Sequence, residues 1–355
     1  MVTIGTDAHK HVHQALALDD AGTILGTWRG ANTPDGWQQL LTWATTLPIA
    51  RQWGMEGAWQ YGRGLAQFLV MHGETVFEVN SRWTAERRRS ARKPGKSDRL
   101  DAHAVAKCVR DEASTLPRIA AEDTTVVLDL LVTEREAALA EATRLRNQVH
   151  HLLLQLDPEY KAHLPRLTSV AGVRAAVMYA CANSNALLQQ RAAAIRRLAQ
   201  RLELVLGQAT ALEQEICGLA QAHYQPLTHL KGVHLLTAGA LAGILGPGQR
   251  FTSEAQLAAY AGVAPLEASS AGIVRHRLNR GGNRRLNAIL YRIALTQARS
   301  SPEAQAYLAR RKAEGKTWRE AIRALKRYLI RAIWRLWQQC LTPPMQPGAD
   351  NKEPI

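Results

Sequence analysis

Val2-Thr3-Ile4-Gly5-Thr6-Asp7 decides how the first third of the chain is read. It is a short β-prone run that ends on an acid. Two further runs follow closely, 13–18 and 23–28, and Asp19-Asp20-Ala21-Gly22 between them is a turn sequence. Strands so tightly spaced imply an antiparallel meander. Thr33-Pro34-Asp35 then has the form of a helix start, an N-cap with proline at the first helical position, and predicts a helix to about Thr46.

A strand at 51–55, a helix at about 58–72 and a last strand at 75–79 complete the segment. Meander, helix, strand, helix, strand is the order expected of a ribonuclease-H-like domain. Residues 82–99 form a basic connector containing Arg82, Arg87, Arg88, Arg89, Arg92, Lys93, Lys96 and Arg99, interrupted by Pro94-Gly95. Ser97 then caps a helix through Ala102, Ala104, Val105 and Ala106.

Beyond this α/β part the chain reads as all-α. Ala138, Ala142, Leu145, Val149, Leu152 and Leu156 step by four and three, as do Ile195, Leu198, Leu202, Val205, Ala209, Leu212, Ile216 and Leu219. Two heptad runs separated by Asp157-Pro158 imply an antiparallel helical hairpin, a dimerising coiled coil, or a plain bundle core. The last third, from Tyr224-Gln225-Pro226, carries small helices, a glycine-rich segment at 262–283 and a long basic helix from about Thr317. The expected division is therefore 1–115, 123–223 and 224–341, followed by a disordered tail at 342–355.

The chain has 355 residues, 46% apolar and 21% charged, an ordinary globular composition. No apolar run approaches the roughly 18 residues that cross a bilayer, and Asp7 interrupts the first apolar stretch. A soluble cytoplasmic protein with no membrane partner is the expectation. The four cysteines form no CxxC pair, which argues against a zinc site or a disulfide framework. Net charge is +15, with 45 Lys and Arg against 30 Asp and Glu, and such an excess suits a polyanion, most commonly nucleic acid.

Four acids stand out. Asp7 ends the first strand, Glu56 ends a later one, and Asp98 and Asp101 lie three apart at a helix start, hence on one helical face. In a ribonuclease-H-like sheet those two strands are neighbours, so the acids can converge. Like charges in one cleft are costly unless a cation neutralises them, and hard oxygen donors suit Mg²⁺. Paired ions about 4 Å apart activate an oxygen nucleophile at phosphorus and steady the leaving oxygen. Taken singly, each acid reads as a cap or a solvated group. His9, His11 and His13 alternate, would share a strand face and could suggest a metal site, but surface histidines are the default.

Three blocks carry a family resemblance: Gly5-Thr6-Asp7-Ala8-His9-Lys10, Glu56-Gly57-Ala58-Trp59-Gln60-Tyr61-Gly62 and Gly95-Lys96-Ser97-Asp98-Arg99-Leu100-Asp101-Ala102. Together they resemble the insertion-sequence "one-ten" family of DEDD transposases, which includes bridge-RNA-guided serine recombinases and is related to Piv-type DNA invertases. Leu230-Lys231-Gly232-Val233, Arg250-Phe251, Gln256-Leu257-Ala258-Ala259-Tyr260-Ala261-Gly262-Val263-Ala264-Pro265 and Arg280-Gly281-Gly282-Asn283-Arg284-Arg285-Leu286 resemble its C-terminal transposase domain. The similarity spans roughly residues 2–110 and 226–300.

The resemblance implies a RuvC-like nuclease domain whose Asp7, Glu56, Asp98 and Asp101 hold Mg²⁺. It implies a helical C-terminal domain whose serine attacks DNA and becomes joined to a phosphate. Counting from Pro265 puts that nucleophile at Ser270, beside Ser269, with Ala271 where the family has glycine. It also implies a homo-oligomer, dimer or tetramer, acting on donor and target DNA, and in one branch a noncoding bridge RNA that pairs with both. No Walker motif is present, and a phosphoserine link would conserve the energy needed for rejoining. A Piv-like invertase, a RuvC-like structure-selective nuclease and a non-enzymatic scaffold are the competing readings.

Basic side chains complete the candidate surface. Arg275, Arg277, Arg280, Arg284 and Arg285 follow the serine pair among glycines, suited to phosphate contacts. Arg319, Arg323, Arg327, Arg331 and Arg335 recur every four residues, opposite Ile322, Leu325, Leu329, Ile333 and Leu336. Phosphate tracking is the favoured reading of this stripe over a merely solvated face. With 6% aromatic residues, base stacking is expected to be secondary. Leu230-Lys231-Gly232-Val233-His234 resembles half of a helix-hairpin-helix, with His234 where a second glycine is usual.

Overall fold

The computed structural model describes residues 1–48, 50–80, 98–179, 185–248, 250–267, 276–277, 279 and 281–341. These form two compact units: Met1–Asp123 with Gly246–Tyr260, and Thr124–Leu245 with the chain from Ala261 onward.

The first unit is built on five strands: β1 (Val2–Ala8), β2 (Val12–Leu18), β3 (Ile24–Ala31), β4 (Arg51–Glu56) and β5 (Val76–Val79), in the order β3-β2-β1-β4-β5. β1, β2 and β3 pair antiparallel, and β4 and β5 are added parallel to β1. A parallel neighbour requires a crossover. Helix α1 (Pro34–Thr45) supplies the first and α2 (Arg63–Met71) the second. Thr33 caps α1 by accepting from Gly36 N at 3.2 Å, with Pro34 in the first turn, as its sequence predicts. The second helix starts later than its pattern suggests, because residues 57–62 form turns with Gly57 at φ 69°.

Alternation sorts each strand's side chains between two faces. Val2, Ile4, Ala15, Ala17, Trp53 and Met55 meet Leu40, Leu65 and Leu69 of α1 and α2. On the other face lies α3 (Asp98–Glu112), whose Ala102 and Ala106 pack on Leu16 and Leu18, and whose Val105 and Val109 pack near Val79. This contact is unusually close at Gly5. A methyl group there would lie 2.2 Å from the Ala102 carbonyl oxygen and 2.3 Å from the Ala106 nitrogen. Any side chain at this position must push helix and strand apart.

In the segment at 246–260, one cation lies among three rings and an acid. The Arg250 guanidinium lies 5.0 Å from the Tyr260 ring, 5.3 Å from Phe251 and 5.9 Å from Trp59, and 3.4 Å from Glu78 Oε2.

The second unit is helical: α4 (Thr124–Leu156), α5 (Ala186–His223), α6 (Leu235–Leu245), α7 (Arg284–Ser300), α8 (Pro302–Ala313) and α9 (Trp318–Leu341), with shorter turns between them. The two heptad runs lie on α4 and α5, which pack antiparallel within one chain. Val149 and Leu153 cluster with Ile195 and Ala199, while Ala142 and Leu145 cluster with Leu202 and Val205. Arg135 to Glu213 (2.5 Å) and Arg201 to Glu141 (3.1 Å) flank the seam. The hairpin reading of the two runs therefore describes their packing, and each seam buries the other.

Helix α6 docks on this pair through glycines; a Cβ at Gly243 would lie 2.7 Å from Asp129 N. Before it, the Lys231-Gly232 turn has Gly232 at φ 91°. In α9 the apolar face is buried as its spacing predicts, with two changes: Trp337 is buried beside the half-exposed Leu336, and Lys326 is buried with it. The basic connector at 82–97, the Ser269-Ser270 pair and the tail at 342–355 lie outside the described residues.

Replacing Gly5 by alanine should destabilise the protein by about 1–3 kcal/mol, the ordinary cost of overpacking a close contact. Denaturant unfolding of the two proteins checks this, and equal midpoints would show that helix and strand are not in contact at that point.

Candidate active site

Strand pairing brings the first two acids together. Asp7 stands next to the end of β1 and is the register partner of Glu56, the last residue of β4. Both lie at the carboxyl edge of parallel strands. Because Asp7 and Gly5 share a face, the close approach at Gly5 places the first turn of α3, with Asp98 and Asp101, on the same side. Asp7 and Asp101 are each only 7% exposed.

The electrostatics report the convergence. Asp7 is pushed up to about 6, chiefly by burial; His9 opposes the shift, and the charges of Asp101, Glu56 and Asp98 add to it. The other three acids are thus near enough to oppose the ionisation of Asp7, a condition that a cation relieves. His9 Nε2 lies 3.1 Å from Asp7 Oδ2 and 3.5 Å from Asp98 Oδ1, and ligand atoms of these three residues lie within 4.8 Å of one another. Carboxylate oxygens are the donors that Mg²⁺ selects, so the residues present fit such an ion.

His9 is the residue that sequence reading passed over. The three alternating histidines do not share a strand face. His9 is in the turn between β1 and β2 and bends back over the acids, His11 is exposed in the same turn, and His13 is fully buried on β2.

The basic candidates divide. Arg319, Arg323 and Arg331 are exposed along α9 and Arg327 is half-buried; Arg284 is exposed at the start of α7. Arg285 is held by ion pairs to Asp129 (2.8 Å) and Glu136 (3.3 Å) of α4. Arg277 lies in a two-residue strand that pairs antiparallel with Leu266-Glu267. Arg87, Arg88, Arg89, Lys96, Arg275, Arg280 and Ser270 lie outside the described residues.

An α/β unit with acids gathered at the edge of its parallel strands, joined to a basic helical unit, is an arrangement suited to phosphodiester chemistry. Comparison with known proteins makes that specific. Residues 4–158 match a family described as transposase, and residues 224–309 match the transposase IS116/IS110/IS902 family. The insertion element IS110 uncharacterized 43.6 kDa protein of Streptomyces coelicolor is 30% identical over 68% of this chain and 70% of its own. The insertion element IS900 uncharacterized 42 kDa protein of Mycobacterium paratuberculosis is 25% identical, over 94% and 95%. The IS116 uncharacterized 44.8 kDa protein of Streptomyces clavuligerus is also 25% identical, over 94% of each chain. The chain belongs to the IS110 family of transposases. Among the described residues no helix is long and apolar enough to cross a membrane.

The raised Asp7 has a direct consequence for stability. Its folded pKa of about 6 exceeds the ordinary 3.8, so the ionised group costs stability above about pH 6, and the cost disappears as pH falls through 6 towards 4. Asp7→Asn should therefore be more stable than the parent at pH 8 without divalent ions, by up to about 3 kcal/mol, with the gap closing by pH 4. Adding Mg²⁺ at pH 8 should raise the melting temperature of the parent and not of the variant. A parent indifferent to Mg²⁺ at both pH values would mean that these acids do not hold the ion.

Proposed function

We propose that this transposase cuts and rejoins DNA with Asp7, Glu56, Asp98 and Asp101 as Mg²⁺ ligands in a RuvC-like domain and Ser270 as nucleophile. The observation that supports it most is the burial of Asp7 among three other carboxylates drawn from a neighbouring strand and a helix. Such a cluster is destabilising by itself and is retained for what it binds.

The bound ion would supply Lewis-acid polarisation of a phosphoryl oxygen and stabilise the charge that grows at phosphorus. The chain's own groups do the rest. In the first half-reaction the Ser270 oxygen forms a bond to phosphorus, the DNA ester bond breaks, and the departing DNA oxygen takes up a proton equivalent to the one lost by the serine. In the second, a hydroxyl at another DNA end attacks the serine phosphodiester and the serine regains its proton. No bond energy is lost, so no nucleotide hydrolysis is needed. His9, between Asp7 and Asp98, sits where it can hold a proton beside the acids or fix their orientation.

On this reading 1–115 is the nuclease domain, 123–223 the assembly region and 224–341 the strand-transfer domain, working as a homo-oligomer on donor and target DNA. An element-encoded bridge RNA would carry sequence choice by base pairing, which leaves the protein to recognise backbone.

Asp7→Asn, Glu56→Gln, Asp98→Asn and Asp101→Asn should each lower strand transfer by more than about a hundred-fold, since even the outer shell of a metal site is worth 10–100-fold. Ser270→Ala should abolish the covalent protein–DNA species. The assay is recombination between two labelled DNAs by protein co-purified with RNA from cells carrying the element. Full joining activity in Ser270→Ala would overturn the serine mechanism, and a preparation active without any bound RNA would overturn the guided one.

A further inference from the structure

Two cavities of the helical unit adjoin, one of about 500 Å³ and one of about 550 Å³, and both are lined by Gly262, Asn279, Arg323 and Lys326. Tyr307 and Tyr328 lie in the first, Tyr291 and Trp318 in the second. Every described residue lining either cavity is neutral or basic.

Aromatic side chains of this chain are seldom left in water. Among the described residues those that are exposed are Tyr61, Tyr291 (46%), Trp318 (54%) and Tyr328 (49%), and the last three all line these cavities. Their placement alternates with cations. Tyr307 and Tyr328 meet edge to face at 5.0 Å, with Arg311 5.5 Å from the first ring and Arg331 5.6 Å from the second. Trp318 begins α9, next to Arg319 and one turn before Ile322 and Arg323.

Between the two aromatic pairs stands Lys326. It is only 8% exposed, its ammonium donates to Asn287 Oδ1 at 2.8 Å, and burial followed by the charge of Arg323 holds it below the usual lysine range. A buried ammonium set among arginines is costly unless an anion joins it. The floor is backbone: Gly262 has φ 69°, and a Cβ at Gly282 would lie 2.3 Å from Gly262 Cα.

We propose that these adjoining cavities form one groove for an unpaired polynucleotide strand, with bases stacked on Tyr328/Tyr307 at one end and Trp318/Tyr291 at the other. The intervening phosphates lie on Arg323 and Lys326. From Trp318 to Tyr328 the helix rises about 15 Å, enough for a run of a few stacked nucleotides at about 3.4 Å each. Duplex DNA hides its base faces, so it cannot stack on these rings and would meet this surface chiefly through the cations. Stacking with backbone contact is the general means of holding single strands irrespective of sequence. The inference rests on the transposase reading, to which it adds a segment that is unpaired when bound.

The test uses the full-length protein and fluorescence anisotropy with a labelled dT 20-mer, a U 20-mer and a 20-base-pair duplex. Trp318→Ala and Tyr328→Ala remove exposed rings, and unchanged circular dichroism confirms that both variants fold. Each should weaken single-strand binding by about five- to a hundred-fold with duplex affinity kept within about twofold, whereas Trp318→Phe and Tyr328→Phe should bind like the parent. The dT and U arms decide whether the strand is DNA, RNA or either. Equal losses on duplex and single strand, or no loss on either, overturn the groove and leave the transposase reading standing. A parent protein that binds none of the three probes overturns both.

Discussion

Acids repel one another, and a protein that gathers four of them must hold them by something stronger than their mutual opposition. Here the restraint is the contact between α3 and β1 at Gly5, where the helix backbone comes as near as a bare Cα permits. Two residues further along β1 stands Asp7; in α3, Asp98 stands one turn before Ala102 and Asp101 immediately before it. The parallel pairing of β1 with β4 adds Glu56 in register. Apolar packing of Ala102 and Ala106 on Leu16 and Leu18 therefore supplies the free energy that the raised carboxyl of Asp7 uses up. A local electrostatic penalty at Asp7 is carried here by a well-packed sheet face.

The second unit handles charge differently. Its long helices spend their apolar seams on each other, and Arg135 and Arg201 close the flanks against glutamates. Arg285 is likewise neutralised by Asp129 and Glu136, and so contributes to holding α7 on α4. Along α9, Arg319, Arg323 and Arg331 are exposed. The formal charge of +15 is thus a poor guide to where a polyanion is held, because part of the arginine population serves the fold.

Most of the first unit was legible in sequence. Period-two runs, a Thr-Pro helix start and glycine turns are local signals, and they located the five strands and three helices within a few residues. Each of the four acids lies near the end or start of an element, and strand pairing puts Asp7 and Glu56 in register. The turn at 57–62 was missed because its aromatic and glycine content also suits a helix start. His9 was missed for a different reason: its position depends on how a hairpin turn folds over the strand edge, and alternation in sequence wrongly grouped it with His11 and His13. Whether a heptad seam closes within one chain is a tertiary matter, and only the packing of Val149 and Leu153 against Ile195 and Ala199 decides it.

The aromatic residues show the same limit most sharply. A composition of 6% aromatic gives no reason to expect base stacking, and Tyr291, Tyr307, Trp318 and Tyr328 are spread over three helices with no motif to join them. Folding α7, α8 and α9 together places all four around one buried lysine. An amphipathic helix with a basic stripe would require only that its charges reach water. Burial of Lys326 on the apolar side of that stripe, with exposed rings on either hand, is an expense that a merely solvated face has no need to incur. On the proposed groove, the stripe is the outer rim of a more specific surface, in which the cations would orient a strand and the rings would hold it.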